Sequence, residues 1–271
     1  MSDLDTVAPA ATSNPGGRIG LLDINLEFIS HRDNWIFLAL TLAFAGGLLV
    51  TGPRPSDLLW LGLGWLVFVP QEYWTHALVL HAPIPRSQRA YIWMYRLHYG
   101  HHDHPRRHDL MYMPLWLSVP MLLINAALFW AITPDPRAFS GAFGGALVGY
   151  LVFEWSHLLC HVPYVPRSAA WRRARTQHML HHFADENRGY AVAPWSLFMD
   201  RVLGTQSEHG VKSPSCRFLG LDANHPWVAH ARQRFANRSS GDHTCSRLWL
   251  RALLVFPRCQ QSHRSKRSKR R

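Results

Sequence analysis

The sequence predicts an all-α integral membrane protein in which four transmembrane helices form two hairpins. Two observations carry this prediction. Long apolar stretches run without Asp, Glu, Lys or Arg, and only 17% of the 271 residues are charged, against about 25% in an average soluble domain. With 48% hydrophobic residues, the composition argues against a disordered chain or a coiled coil. Histidine is also abundant, at 18 residues.

Four charge-free stretches define the predicted spans, because a membrane helix needs about 20 mostly apolar residues. They cover residues 34–53, 58–71, 110–134 and 138–153. The first and third are long enough as they stand. The second and fourth reach the required length only when extended to residues 80 and 159, which adds Glu72, His76, Glu154 and His157. An ionisable residue at such a depth indicates a functional site.

Short turns at residues 51–57 and 133–137 join the spans into the two hairpins. Each hairpin tip carries one arginine, whereas the segment between the hairpins has five and the segment after the fourth span has six. The positive-inside rule therefore predicts that both termini and both arginine-rich segments are cytoplasmic. The alternative is a soluble helical protein with a very apolar core. It is disfavoured because buried helices rarely keep 20–25 residues free of charge.

The formal net charge of +12 comes from the C-terminal region. Residues 206–271 hold 14 Lys and Arg against 3 Asp and Glu, and residues 1–205 hold 15 against 14. We expect a flexible leader over 1–33, a membrane and catalytic domain over 34–205, and a basic, disordered tail over 206–271. The tail has no nucleic-acid recognition motif, so no specific nucleic-acid partner is predicted. The four cysteines suggest neither a disulfide framework nor a zinc ribbon.

Ten of the histidines fall into four boxes on the predicted cytoplasmic side. The boxes are HALVLH with His76 and His81, HYGHH with His98, His101 and His102, HLLCH with His157 and His161, and HMLHH with His178, His181 and His182. Because residues at i, i+3 and i+4 share a helix face, each HxxHH box is expected to direct three imidazoles into one space. A pair at i, i+5 needs an unwound end or a bulge.

Ten imidazoles are too many for one metal and suit two, each with four or five nitrogen ligands and an open position. Imidazole ligands suit zinc, copper, iron and nickel. Structural zinc usually closes a four-ligand site, so the set favours a redox pair that stays open to oxygen. Carboxylates often orient metal-bound histidines, and Glu72, Asp103, Glu154 and Asp185 lie near the boxes. No catalytic residue beyond this metal centre is predicted.

The boxes resemble those of the membrane fatty acid hydroxylase and sterol desaturase superfamily, and most closely the fatty acid 2-hydroxylases. The resemblance covers about residues 35–205. It rests on five segments: EYWTHALVLHAP from Glu72, RLHYGHHDHPRRHDLMYMP from Arg96, FEWSHLLCH from Phe153, QHMLHHFADENRGYAV from Gln177 and SLFMDRVLGT from Ser196. Three positions depart from the usual pattern. Glu154 stands where close relatives usually have Asp, Phe153 where they often have Tyr, and Phe198 near their usual Trp.

The resemblance implies a cytosolic helical cap over the four spans, with the ten boxed histidines as ligands of two iron ions. Zinc could replace the iron in a structure. It further implies O2 as co-substrate and hydroxylation of a lipid acyl chain, in a fatty acid or an acyl-lipid, at the cytoplasmic membrane face. Residues 1–34 could not hold a haem domain, so a separate reductase, ferredoxin or cytochrome is expected as electron donor. Its expected docking site includes Arg172, Arg173 and Arg175.

Two other activities compete with hydroxylation. Desaturation of an acyl chain or sterol, within the same superfamily, shares the hydrogen abstraction and differs only in the fate of the carbon radical. A histidine-rich metal transporter is the rival from another class. Transporter ion sites usually lie near the bilayer midplane on broken helices, whereas these histidines gather at one side.

Overall fold

The computed structural model describes residues 19–207, 219–222 and 224–236, and the regular elements within these ranges are helical. The α-helices are α1 (Leu21–Ser30), α2 (Asp33–Val50), α3 (Pro55–Trp74), α4 (Gln88–Met94), α5 (Gly100–Asp103), α6 (His108–Met111), α7 (Leu115–Ile132), α8 (Pro136–His161), α9 (Ala169–Phe183), α10 (Leu197–Val202) and α11 (Val228–Ala236). Two π-helical segments, Thr75–Leu80 and Tyr95–Tyr99, follow α3 and α4 directly.

Three helices in the described part of the chain are long and apolar enough to cross a membrane, namely α2, α7 and α8. The molecule is therefore a membrane protein. Helix α3 covers the second predicted span, and its 20 residues reach about 30 Å at 1.5 Å per residue. It is not among the three because its Gly, Trp, Gln and Glu residues lower its mean hydropathy. A transmembrane position for α3, and with it the count of four spans, remains a prediction.

Helices α3 and α8 approach each other at backbone distance. A Cβ atom added to Gly64 would lie 1.8 Å from the carbonyl oxygen of Ala142, and one added to Gly145 would lie 2.0 Å from that of Leu61. Small residues at such crossings are typical of membrane helix pairs, which associate through close packing. The α3–α8 pair therefore forms a continuous helix contact in which glycine is required on both sides.

The two hairpin turns lie together at one end of the molecule. Gly52, at φ +83°, follows the C-terminus of α2, and Asp135 caps α8 by accepting from the amides of Arg137 and Ala138. The Arg137 guanidinium then donates to both carboxylate oxygens of Asp57 and, at 2.6 Å, to the Gly52 carbonyl. Arg137 thereby ties the α2–α3 turn to the start of α8.

The other end carries the histidine boxes. His76 lies two residues beyond the end of α3, and His157 and His161 occupy the last two turns of α8. Helices α5 and α9 supply the remaining boxes, apart from His81 and His98, which lie at the ends of the two π-helical segments. The boxes therefore meet at the end of the α3–α8 pair opposite the hairpin turns.

Both flanking segments differ from expectation. Part of the leader predicted over 1–33 forms α1, where Ile24 is fully buried and the side chains of Glu27 and Asn25 bond His108 and Trp155. Residues 1–18 lie outside the described ranges. The tail over 206–271 was predicted to be disordered, yet residues 219–222 and 224–236 are folded and include α11.

The reason for the second difference is a short amphipathic pattern in α11. Val228, Ala231 and Phe235 recur at helical spacing and are buried, as expected of a helix with one apolar face. The strong positive charge of the tail concealed this pattern. Residues 208–218, 223 and 237–271 of the tail lie outside the described ranges, and the domain boundaries drawn from the sequence stay predictions.

Candidate metal centre

The ten boxed histidines form two clusters of five. In site A, His76, His81, His98, His102 and His181 each offer one nitrogen atom, and these atoms all lie within 4.8 Å of one another. In site B, the same holds for His101, His157, His161, His178 and His182. Nine of the ten residues are buried and His81 is half-buried. The structure therefore brings together every histidine that the sequence singled out, and divides them equally.

Each HxxHH box is shared between the two sites. In α9, His178 and His182 point into site B and His181 points into site A. On a helix, side chains at i and i+4 lie about 40° apart around the axis, and i+3 lies about 60° away on the other side. The box HYGHH follows the same rule with the sites exchanged, since His101 alone enters site B. The expectation that each box fills a single space was wrong.

The π-helical segments place the first two boxes. His81 donates its amide to the carbonyl of His76 at 3.1 Å, the i+5 bond that defines a π turn. This turn returns both imidazoles to one side, with ring centroids 5.1 Å apart, as the predicted bulge required. The second π turn was not foreseen. A Cβ atom on Gly100 would lie 2.7 Å from the carbonyl oxygen of Tyr95, so glycine is needed here.

The Nε2 atoms converge at metal-ligand spacing. In site A, Nε2 of His98 lies 3.0 Å from that of His81, 3.0 Å from that of His102 and 3.2 Å from that of His76. Imidazole nitrogens bound to one metal at about 2.0–2.1 Å, with cis octahedral geometry, are about 3 Å apart. The distances in site A therefore suit one ion shared by these ligands.

Site B has the same spacing. The Nε2 atoms of His161 and His178 are 2.8 Å apart, and those of His157 and His101 are 2.9 Å apart. His182 lies 3.1 Å from His178 by the same atoms. The all-nitrogen donor set and these distances fit a second metal ion, so the residues present suit a two-metal cofactor.

Backbone carbonyl groups orient two histidines of site A. The Nδ1 atom of His76 hydrogen-bonds the carbonyl oxygen of Tyr190 at 2.5 Å, and Nδ1 of His181 that of Arg188 at 2.7 Å. Such bonds fix the ring and leave Nε2 for a metal. Nε2 of His181 is buried and has no hydrogen-bond partner in the described structure, consistent with a ligand position.

Burial also keeps the imidazoles in the form that metals require. Burial, followed by the charges of neighbouring histidines, lowers the pKa of His102, His178 and His182 well below the ordinary value. Metal ions bind the neutral imidazole. The clusters are therefore held ready for metal binding at neutral pH without prior loss of a proton.

Two of the four carboxylates expected to orient the ligands hold neighbouring segments instead. Glu72 Oε1 accepts from Ser196 Oγ at 2.8 Å and from the Val192 amide at 3.0 Å. Glu154 Oε1 accepts from the Tyr150 hydroxyl at 3.0 Å and from the Met113 amide at 3.2 Å. Glu72 thus fixes the segment that follows Tyr190, and acts on His76 only through that segment.

The other two carboxylates likewise bond no boxed histidine in the described structure. Asp103 pairs with Arg232 and accepts from the Tyr95 hydroxyl at 2.7 Å, and Asp185 lies 3.5 Å from Arg188. None of the four therefore has a hydrogen bond to a boxed histidine among the described residues, and their role in orienting the ligands stays a prediction.

Asp200 is a positioning residue that the sequence did not single out. Its carboxylate accepts from the amides of Tyr190 and Ala191 at 3.0 and 2.9 Å, and from the hydroxyl of Thr205 at 2.7 Å. Burial raises the pKa of this carboxyl group. Its only sequence signal was the segment SLFMDRVLGT, which contains both Asp200 and Thr205.

An apolar cavity between α2, α3, α7 and α8 ends at site A. Its wall includes Phe37, Phe68, Leu147, Tyr150 and Phe153, and at one end it includes Glu72 and His76. An outer groove along α3, lined by residues such as Leu66, Trp74 and Val79, shares Gln71 and Thr75 with the cavity. Between the two, the Gln71 amide donates to Asn125 Oδ1 at 2.9 Å and joins α3 to α7.

The fold and the site define a helical membrane protein with paired five-histidine clusters at the end of an apolar cavity. The profile of the fatty acid hydroxylase family matches residues 61–205. Since this is more than half of the chain, the protein belongs to the fatty acid hydroxylase family.

Named relatives agree with this assignment. The ceramide very long chain fatty acid hydroxylase of Saccharomyces cerevisiae is 30% identical over 53% of this chain and 36% of its own length. The dihydroceramide fatty acyl 2-hydroxylase of Arabidopsis thaliana is 26% identical over 53% of this chain and 58% of its own length. The chain thus spans between about a third and three fifths of these curated relatives.

A solved structure has the same fold. It is that of full-length scs7p, in which only the hydroxylase domain is visible. It superposes with a TM-score of 0.57 at 26% identity, over 66% of each chain.

Proposed function

We propose that the protein is an oxygen-dependent di-iron hydroxylase of a lipid acyl chain, in a fatty acid or an acyl-lipid. One observation carries the proposal: His76 belongs both to site A and to the wall of the apolar cavity. A chain lying in that cavity therefore has one part beside the metal ligands. The names of the curated relatives, all hydroxylases of fatty acyl chains, support this reading.

Sites A and B would each hold one iron ion through five imidazoles. With two electrons and two protons from a donor, the bound ions supply the O2 activation that places one oxygen atom in a C–H bond and releases the other as water. Imidazole ligands suit iron and zinc alike, so zinc could replace the iron in a structure. The donor in this proposal is a separate reductase, ferredoxin or cytochrome.

The residues of the cavity bind and orient the substrate. Phe68, Phe153 and Leu147 contribute apolar surface that favours an acyl chain over water. Glu72 belongs to the cavity wall beside His76, and its Oε2 atom is buried without a hydrogen-bond partner in the described residues. In this proposal the Glu72 carboxyl group holds or transfers a proton near site A.

We further propose that the substrate enters sideways from the bilayer. The outer groove is lined by residues of α3 and the following π-helical segment, and it meets the inner cavity at Gln71 and Thr75. Separation of Gln71 from Asn125 would join groove and cavity into one path between α3 and α7. This route requires α3 to cross the membrane, so that the protein has four spans.

The orientation proposed is that both termini and sites A and B are cytoplasmic. The hairpin turns lie at the end opposite the histidines, and the arginine-rich segments follow the histidine end. Arg173 is exposed and available to an acidic donor, whereas Arg175 is turned inward and donates to the Cys160 carbonyl at 3.2 Å. Arg175 is therefore not part of the proposed docking surface, although the sequence analysis expected it there.

The decisive experiment compares the lipids of an expressing host with those of the same host carrying His181→Ala. Under aerobic, iron-replete conditions with a competent reductase, mass analysis should show acyl chains that have gained one oxygen atom only with the unmodified protein. Chains that have lost two hydrogens would favour desaturation. Identical lipid profiles, together with metal flux across the membrane, would favour the transporter and contradict the proposal.

A further inference from the structure

The described residues after the family match form a segment that packs on the second histidine box. We call residues 219–222 and 224–236 the C-terminal clasp. Its buried side chains Leu219, Leu221, Val228 and Phe235 share one apolar cluster with Tyr91, Tyr95, Tyr99 and Leu110. The family match ends at residue 205, so the clasp lies outside the matched region while it contacts the helices that carry part of the metal centre.

The clasp makes a two-point ion pair with the residue that follows the box. Arg232 Nε and one terminal nitrogen donate to the two carboxylate oxygens of Asp103, at 2.6 and 2.7 Å. The Tyr95 hydroxyl donates to the same carboxylate at 2.7 Å. Asp103 directly follows His101 and His102, and its side chain is 11% exposed. A bidentate pair of this kind fixes direction as well as distance.

Further contacts hold the clasp to both sides of the box. The Tyr91 hydroxyl donates to the Gly220 carbonyl at 2.8 Å, and an Arg107 nitrogen donates to the Phe235 carbonyl at 2.7 Å. The rings of Tyr95 and Phe235 stack with centroids 5.7 Å apart at 17°. Tyr91 and Tyr95 precede the box and Arg107 follows it, so the contacts bracket the ligands.

Helix α5 is the last turn of a helical run from Gln88 to Asp103, in which the π-helical segment Tyr95–Tyr99 separates it from α4. The end of a helix lacks part of its intrahelical hydrogen bonds, so the position of α5 depends on contacts from outside the run. The two histidines of α5 serve different ions, since His102 belongs to site A and His101 to site B. Any displacement of α5 therefore disturbs both sites together.

We propose that the C-terminal clasp, through the Arg232–Asp103 pair, positions α5 and thereby sets how firmly both metal sites retain their ions. The proposal rests on the metal centre described under Proposed function. Arg232 acts as a positioning residue, since it reaches the ligands only through Asp103 and the backbone of α5.

The test measures iron retention in the purified, ferrous-loaded, full-length protein after addition of the chelator ferrozine. Loss of a group that orients metal ligands typically lowers metal affinity 10–100-fold. We therefore expect Arg232→Gln to release both ions at least about tenfold faster. Arg232→Lys keeps the charge without the two-point geometry, so it should release iron at a rate between those of the unmodified protein and Arg232→Gln. The double variant Asp103→Asn with Arg232→Gln should release iron only slightly faster than Arg232→Gln alone.

A matched control separates positioning from general stability. Arg137 makes a similar two-point pair with Asp57 at the hairpin end, so Arg137→Gln should lower the melting temperature and leave iron release unchanged. The clasp proposal is overturned if Arg232→Gln and Arg232→Lys release iron at the unmodified rate, or if Arg137→Gln accelerates release equally. If the unmodified protein retains no iron, the proposed metal centre itself fails.

Discussion

Gly189 shows how a single residue controls the ligands of site A. It lies between Arg188 and Tyr190, whose carbonyl groups orient His181 and His76. Its φ is +73°, and an added Cβ atom would lie 2.7 Å from Ser207 Oγ and 3.2 Å from the Gln177 carbonyl. Both the left-handed backbone and the lack of space therefore require glycine, and the two carbonyl groups depend on it.

We expect Gly189→Ala to reduce iron content and lower the free energy of unfolding by about 1–3 kcal/mol, the usual cost of a strained backbone position. The physical reason is that either the turn changes and both carbonyl groups move, or Ser207 is displaced. Iron per protein by elemental analysis and thermal unfolding check this. Gly204→Ala is the control: its φ is +69° with no atom within 4 Å of the added Cβ, so it should lose stability without losing iron. Full iron content in Gly189→Ala would contradict the argument.

The sequence predicted which ten histidines come together but not their division into two clusters. The spacing of His178, His181 and His182 identifies one helix turn, and it leaves open whether one metal or two lie beside it. The division follows from a second helix end, α5, facing α9 across both sites. The i, i+5 spacing of His76 and His81 was different, since only a π turn or an unwound end satisfies it. That element could be predicted from the spacing alone.

At the scale of elements, the contact between α3 and α8 sets the position of His76 relative to His157. His76 lies just beyond the end of α3, and His157 lies in the last turns of α8. A change in the separation of the two helices therefore shifts one site against the other. Apolar patterning predicted both helices but not their close contact, because a charge-free run does not show which of its faces meets a neighbour.

We expect Gly145→Ala to destabilise the protein by about 1–3 kcal/mol or more, the usual cost of overpacking, because the new methyl group would meet the Leu61 carbonyl at 2.0 Å. The adjacent Gly144→Ala is a matched control, since its nearest neighbours would lie at an ordinary 3.6 Å, and it should be close to neutral. Thermal unfolding of the detergent-purified variants measures both. Equal stability of the two would show that α3 and α8 are less closely packed.

At the scale of the whole molecule, the cavity, the two sites and the C-terminal clasp lie in series. The cavity reaches site A through His76, sites A and B share α5 and α9, and the clasp holds α5. The boxes could be predicted as one cluster from the sequence. The clasp could not, because the contact between Arg232 and Asp103 spans 129 positions and Arg232 belongs to no motif.

The orientation of the molecule can be tested with one cysteine at each end. We expect Ser56→Cys, at the hairpin end, to react with a membrane-impermeant maleimide in intact cells. Gln88→Cys, beside the histidine end, should react only after the membrane is permeabilised. Both positions are exposed, so access through the bilayer alone decides the result. The native Cys160, Cys216, Cys245 and Cys259 are first replaced by serine or alanine.

The same pair of positions tests the number of spans. Residue 56 lies at the start of α3 and residue 88 lies beyond the first π-helical segment, so opposite labelling means that the chain crosses the membrane once between them. The apolar residues exposed on α3, among them Leu58, Leu59 and Leu66, would then face lipid, as a fourth span requires. Labelling of both positions from the same side would instead place α3 along the membrane surface. It would also close the proposed lateral path, because a groove outside the bilayer cannot take an acyl chain directly from it.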